Sequence, residues 1–356
     1  MRAAVLTTSP GPLELVELTA GPLSPREVRI ATAAAGLCHS DLHFIEGIYP
    51  HPVPVVMGHE SSGVVEAVGD QVRSLTPGDH VVTCLSMFCG HCEFCLTGKT
   101  NLCRSRDTKR ADRLTGADGS VVAQFGGLGS FAEEMVVHEN ACVKIRPDMP
   151  LDLAALLGCG VMTGIGAAWN TAGVRPGDTV AVIGCGGIGL NVVQGAYVAG
   201  AARIVAIDRL PNKLDLARRF GATDLIDASD GTAVEQVLEL TGGGVQHAFE
   251  AIGLARTAQD AFAMLRADGA AYVIGMVPPT EVVSVPGSAF LSEKRIQGAM
   301  MGSNRFRVDV PRMIDLYLQG RIRLDELVSA RIPLDAVNEG FAEMRTGAIA
   351  RNVIVF

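Results

Sequence analysis

Nowhere in this sequence do lysine and arginine gather into a block. Acidic residues outnumber basic ones, 38 to 30, for a formal charge of −8. The electrostatic footprint of a nucleic-acid binder is therefore missing, and a small anionic ligand would have to be held by local groups. An apolar stretch long enough for a signal peptide is also missing, because Pro10-Gly11-Pro12 cuts short the run that opens with Met1. One segment, 179–202, carries no charge and is long enough to span a bilayer. It holds six glycines together with Asn191 and Gln194, so it reads as a strand, a tight loop and a helix of a soluble protein, not a membrane span. There is no internal repeat and no low-complexity tract.

What is present points to two domains. The chain has 356 residues, 48% apolar and 19% charged, enough to bury two cores. The first part is rich in Val, Gly and Pro, with short apolar runs ended by turn signals, and reads as a mostly antiparallel β domain. From about residue 151 the pattern changes. Expected strands at 179–183, 203–207, 223–227, 245–251 and 270–275 alternate with helical stretches, which means βαβ units and a parallel sheet. The tail after Arg295 turns mixed again and is expected to pack back on the first domain. The fold class is thus α/β, with domain boundaries expected at 1–160 plus 301–356 and at 161–300.

Within the second domain, Gly184-Cys185-Gly186-Gly187-Ile188-Gly189 matches G-x-G-x-x-G. Glycines alone make this pattern cheap, but here it follows an expected strand and opens an expected helix, 187–198. The first glycine makes the turn, the second admits a pyrophosphate, and the third allows close helix–strand contact. Asp208, 19 residues beyond Gly189, ends the next strand. A carboxylate there accepts hydrogen bonds from the adenosine ribose and repels a 2′-phosphate, favouring NAD over NADP. Arg209 beside it argues the other way.

The nine cysteines are odd in number, which speaks against a disulfide framework and for thiolates as ligands in a reducing, cytoplasmic compartment. Cys89, Cys92, Cys95 and Cys103 follow C-x2-C-x2-C-x7-C, a spacing that closes a tetrahedral shell around a structural Zn²⁺. A ferredoxin-type cluster would have a shorter last spacing and a proline after the final cysteine; here Arg104 follows. Cys38, His59 and Cys159 are candidates for a second, open site. Singly each is weak, since a buried cysteine is more often an inert core residue. Together, two thiolates and a neutral imidazole cancel the charge of Zn²⁺ and leave a fourth position free. Cys84, Cys142 and Cys185 are left as core or loop residues.

The segment Gly36-Leu37-Cys38-His39-Ser40-Asp41-Leu42-His43, the Gly58-His59-Glu60 motif, the four-cysteine loop, Gly158-Cys159-Gly160 and the glycine loop stand in the order seen in zinc alcohol dehydrogenases of the medium-chain dehydrogenase/reductase family. The sequence resembles that family from end to end. The resemblance implies a GroES-like catalytic domain, a Rossmann domain and an active site in the cleft between them, with NAD and two Zn²⁺ per chain. It implies Cys38, His59 and Cys159 as catalytic zinc ligands, Glu60 as the acid behind that metal and Asp41 as the partner that fixes the tautomer of His59. Ser40 would hydrogen-bond the substrate oxygen, and His43 would pass the proton to solvent. On the cofactor side it implies the glycine loop with Gly184, Gly186, Gly187, Ile188 and Gly189, then Thr163, Asp208, Arg209, Lys213 at the adenosine ribose and Arg351 near the pyrophosphate. His39 stands where many relatives carry an arginine against the phosphates. Tyr49 and Leu85 are expected to line the substrate site.

The reaction implied is hydride transfer from a primary or secondary alcohol to NAD⁺. An alternative is oxidation of the hydroxymethyl adduct of a low-molecular-weight thiol, but residues 47–53 lack the carboxylates of the glutathione-using branch. A non-catalytic nucleotide-binding relative is a third reading; this chain retains every ligand and relay residue. Partners are a small alcohol or aldehyde and further copies of the chain, as homodimer before homotetramer, with neither nucleic acid nor membrane.

Overall fold

The structure, a computed structural model, describes residues 1–105, 108, 110, 113–347 and 349–356. It divides into two compact units. One comprises Met1–Gly160, Arg305–Gly320 and Leu324–Phe356; the other comprises Val161–Asn304 and Arg321–Arg323.

The first unit is built on β-sheet. Arg2–Leu6, Leu13–Ala20, Leu114–Gly116, Val121–Gln124 and Val55–Val56 close a small barrel. A seven-stranded sheet is centred on Glu27–Gly36 and Glu60–Val68, which pair antiparallel. The C-terminal strand Arg351–Val355 adds to this sheet beside Glu27–Gly36, so the end of the chain belongs to the unit formed by its beginning. Leu37, Met57, Phe131 and Phe341 are fully buried in its core, each contributing about 1.5–3 kcal/mol through apolar burial.

A short helix, α1 (His39–Ile45), leaves the end of the central strand. Cys38 precedes it in extended conformation, and its N–H donates to Oδ2 of Asp41, three residues on, at 3.3 Å. A carboxylate in the first helical turn thus satisfies a main-chain donor that the helix leaves free.

The second unit holds six parallel strands: β1 (Thr179–Ile183), β2 (Arg203–Asp208), β3 (Asp224–Asp227), β4 (Val245–Glu250), β5 (Leu265–Val273) and β6 (Arg295–Gly298). Their order in the sheet is β3-β2-β1-β4-β5-β6, which reverses direction between β1 and β4. That reversal is where a doubly wound sheet opens a crevice for a ligand. The uncharged segment resolves into β1, a loop and the helix α2 (Gly187–Val198), buried on most of its faces. Among the described residues no single helix is long and apolar enough to cross a membrane. β5 starts earlier than expected. Its polar stretch Arg266-Ala267-Asp268-Gly269 hides the strand pattern, because pairing with β4 shifts register between Val245 and His247 and Asp268 takes a positive φ of 60°.

Candidate functional site

Cys38, His59 and Cys159 meet in the first unit, all buried, with their ligating atoms within 4.8 Å of one another. Nε2 of His59 lies 3.3 Å from Sγ of Cys159. Nitrogen and sulfur ligands at ordinary zinc distances stand roughly 3.6 Å apart across a tetrahedral edge, so the donor set fits Zn²⁺. The ring of His59 is aimed by Asp41, whose Oδ1 lies 3.0 Å from Nδ1 and also accepts the N–H of Gly58 at 3.2 Å. With Nδ1–H given to a carboxylate, Nε2 is left as the ligand atom. A hydrogen bond from Cys159, together with the nearby guanidinium of Arg351, holds the Cys38 thiol far below its ordinary range against the effect of burial.

Glu60 follows His59 and is wholly buried. Burial pushes its carboxyl up to about 7, although Arg351 pulls it down. One oxygen accepts the N–H of Gly160 at 3.0 Å, and the other lies 3.6 Å from Nε of Arg351. Arg351 is buried, its Nη1 donating to the carbonyl of Leu37 at 2.7 Å, and its guanidinium faces Glu60 and the two thiols from inside the unit. A buried carboxylate beside two thiols needs a cation, and the last strand brings one.

Ser40 and His43 lie on α1. Ser40 is half-buried, with Oγ 3.7 Å from Sγ of Cys38. His43 is half-buried too. Burial lowers its pKa, and its Nδ1 has no hydrogen-bond partner among the described residues. His39 is exposed on the same helix. Tyr49 packs edge-on to His43 with centroids 6.1 Å apart. Leu85 is partly buried against the sheet core. Sequence reasoning missed Phe125, whose ring stands edge to face on His59 at 5.6 Å and on Phe44 at 4.8 Å. It sits in a glycine-rich stretch with no local sign of its neighbour.

The four-cysteine loop is drawn together as expected. Sγ–Sγ distances are 3.5 Å for Cys92–Cys95, 3.8 Å for Cys92–Cys103 and 3.9 Å for Cys89–Cys95. A tetrahedron of sulfurs about 2.3 Å from zinc has edges of about 3.8 Å, so the cluster is already the size of its ion. The N–H groups of Cys89 and Cys92 point at Cys103 and Cys89 sulfurs, at 3.3 and 3.4 Å. Main-chain donors at His91 and Cys92 help bring the Cys89 thiol down to about 6, whereas burial pushes Cys95 up to about 12. Cys84, Cys142 and Cys185 belong to neither metal-binding group among the described residues.

In the second unit the glycine loop joins β1 to α2. Gly184 has φ +92°, and a Cβ on Gly189 would strike the Gly184 carbonyl, so neither position takes a side chain. Around Gly186 a Cβ would meet nothing within 4 Å, which is the open side a phosphate needs. Gly187 and Ile188 begin α2. Asp208 ends β2, and its carboxylate accepts the N–H groups of Cys185, Arg209 and Leu210 at 2.7, 2.8 and 3.0 Å. A carboxylate has about four lone-pair sites, so it is pinned without being saturated. Arg209 is exposed and Lys213 half-buried. Thr163 is buried, with its hydroxyl 3.6 Å from Sδ of Met301.

Comparison with known proteins agrees with this chemistry. Residues 24–148 match the alcohol dehydrogenase GroES-like domain, and residues 187–319 match the zinc-binding dehydrogenase domain. The chain is 40% identical to an S-(hydroxymethyl)glutathione dehydrogenase of Photobacterium damsela subsp. piscicida, over 99% of each chain. It is 37% identical to an alcohol dehydrogenase class-3 of Myxine glutinosa, over 99% of this chain and 97% of that one. The crystal structure of benzyl alcohol dehydrogenase from Acinetobacter calcoaceticus superposes with a TM-score of 0.93 at 32% identity, covering 100% and 99% of the two chains. On these grounds the chain is an oxidoreductase that belongs to the zinc-dependent alcohol dehydrogenases of the medium-chain dehydrogenase/reductase family.

Proposed function

We propose that this enzyme oxidises a primary or secondary alcohol to the aldehyde or ketone, and catalyses the reverse, with NAD⁺ as hydride acceptor. The observation that supports it most is the buried Cys38–His59–Cys159 donor set, which balances a divalent charge and leaves a ligand position for an oxygen. Zinc bound there would make an alcohol acidic and hold the charge on its oxygen.

The chain's own residues do the remaining work. Asp41 fixes the tautomer of His59. Ser40, beside Cys38, accepts the hydrogen bond of the substrate hydroxyl, and His43 carries the proton between that position and water. Its spare Nδ1 suits the task. Glu60 and Arg351 keep the charge around the thiols balanced. Gly184, Gly186, Gly187, Ile188 and Gly189 bind the pyrophosphate, with Asp208 and Lys213 at the adenosine ribose. The carboxylate of Asp208 favours NAD over NADP. Thr163, Arg209 and His39 complete the cofactor side, with Arg351 near the pyrophosphate.

A second reading, oxidation of an S-hydroxymethyl thiol, draws support from the name of the Photobacterium relative. The absence of carboxylates in residues 47–53 counts against glutathione as that thiol. The deciding experiment is NADH formation over short, long and aromatic alcohols, and over formaldehyde with and without added thiols. Turnover of a plain alcohol supports the first reading. Silence on every alcohol, with activity on formaldehyde only when a thiol is present, supports the second.

We also propose a cytoplasmic homodimer. The nine free thiols suit a reducing compartment. One edge of the sheet is β6, and the segments before it expose Val282 (76%) and Leu291 (90%), which suits strand-edge pairing between copies.

A further inference from the structure

Glu250, the last residue of β4, is fully buried in the second unit, and the proposed chemistry gives it no role. Its Oε1 accepts three neutral donors: the N–H of Ile252 at 2.8 Å, the N–H of Gly253 at 2.7 Å and the hydroxyl of Thr257 at 2.8 Å. Its main-chain carbonyl accepts the N–H of Ile274 at 2.9 Å. One residue therefore ties together the loops that follow β4 and β5. Oε2 lies against Gly275, 2.7 Å from where a Cβ would stand there, and has no hydrogen-bond partner among the described residues. Bracing the loops needs only Oε1. The charge of the carboxylate is shared by both oxygens and meets only these neutral donors, with no cation paired to it among the described residues, and burying such a charge is costly.

The position gives that charge a use. Glu250 pairs in register with Ile183, the end of β1, at the point where the strand order reverses. A dinucleotide lies across such a reversal. Asp208, at the end of β2, commits the adenosine half to one side, so the nicotinamide half falls to the side of β4 and β5. The oxidised nicotinamide ring is a cation and the reduced ring is neutral.

We propose that Glu250 is a positioning residue whose buried charge biases the bound cofactor towards its oxidised form; this rests on the reading of the second unit as a nicotinamide dinucleotide site. The test is equilibrium titration of the zinc-loaded wild type and Glu250→Gln with NAD⁺, NADH and ADP-ribose. The affinity for NAD⁺ relative to NADH should fall about tenfold in the variant, the scale of one charge acting at intermediate dielectric, with ADP-ribose unaffected. Glu250→Asp, which keeps the charge, should keep the wild-type ratio. Should Glu250→Gln not fold, Glu250→Met removes the charge with a side chain of similar length. An unchanged ratio in a folded, charge-free variant overturns the proposal and leaves the cofactor reading standing. A wild type that binds none of the three ligands overturns both.

Discussion

Oδ1 of Asp41 lies 3.0 Å from Nδ1 of His59, while Oδ2 of the same carboxylate receives the N–H of Cys38 at 3.3 Å. One buried side chain thus orients one candidate ligand through its ring and a second through its backbone. Asp41→Ala should lower zinc affinity at this site by roughly 10–100-fold, the usual cost of losing such a partner, and leave the four-cysteine site filled. Zinc retention against a chelator measures this; retention equal to wild type would refute the role.

The two donor sets should separate by phenotype. Wild type should carry two zinc ions per chain by elemental analysis. Cys38→Ala or Cys159→Ala should abolish turnover while the fold and the second zinc persist. Cys92→Ala should lower thermal stability first, since that loop leans on its metal. Full activity in either of the first two variants would sink the assignment.

Arg351 and Glu60 form a buried pair, 3.6 Å apart. Removing one partner strands the other's charge, at about 3–5 kcal/mol. Arg351→Met should therefore destabilise the chain strongly, and adding Glu60→Gln should recover a large part of the loss. Denaturant titration of the four proteins closes the cycle. Additive effects would mean that the two charges do not interact.

His138 provides a pH effect at a residue outside both candidate ligand sets. Burial, with Arg26 and Arg113 nearby and only partly offset by Glu139 and Glu27, lowers it to about 4. Its Nδ1 accepts the N–H of Asn140 at 3.0 Å, which requires a neutral ring. The unfolded chain takes up this proton below about pH 6.5, whereas the folded chain does not until about pH 4. Stability is therefore complete above pH 6.5 and falls as pH drops towards 4, by roughly 2 kcal/mol after partial screening. His138→Asn keeps an acceptor for Asn140 and should flatten this slope in thermal melts at pH 7.5 and 5.0. A slope as steep as wild type would assign the effect elsewhere.

What could be read from the sequence was what is local in it. The four cysteines of residues 89–103 and the glycine loop after β1 are short patterns whose spacing carries their geometry. Cys38, His59 and Cys159 are scattered; their residue types made them candidates for one site, and the family resemblance gave them their roles. Phe125 and Glu250 left no trace because each acts on a partner placed by the fold, and Arg351 was named by resemblance alone, without its contact to Glu60. Arg351 bonds Leu37 across a separation of 314 residues, and no local pattern marks an arginine between an alanine and an asparagine. The bulge in β5 was hidden for a related reason: a strand that changes register loses the alternation by which strands are recognised.

The carboxylate of Asp41 gathers Cys38, Gly58 and His59 within a short stretch of chain, whereas Cys159 stands 100 residues beyond His59. At roughly 5–20 residues per second of synthesis, a growing chain holds the first two ligands for about 5–20 s before the third is made. The four-cysteine loop is finished inside that interval. The ligands are therefore delivered in a fixed order: all four thiols of the loop are synthesised while the buried set still lacks its third member.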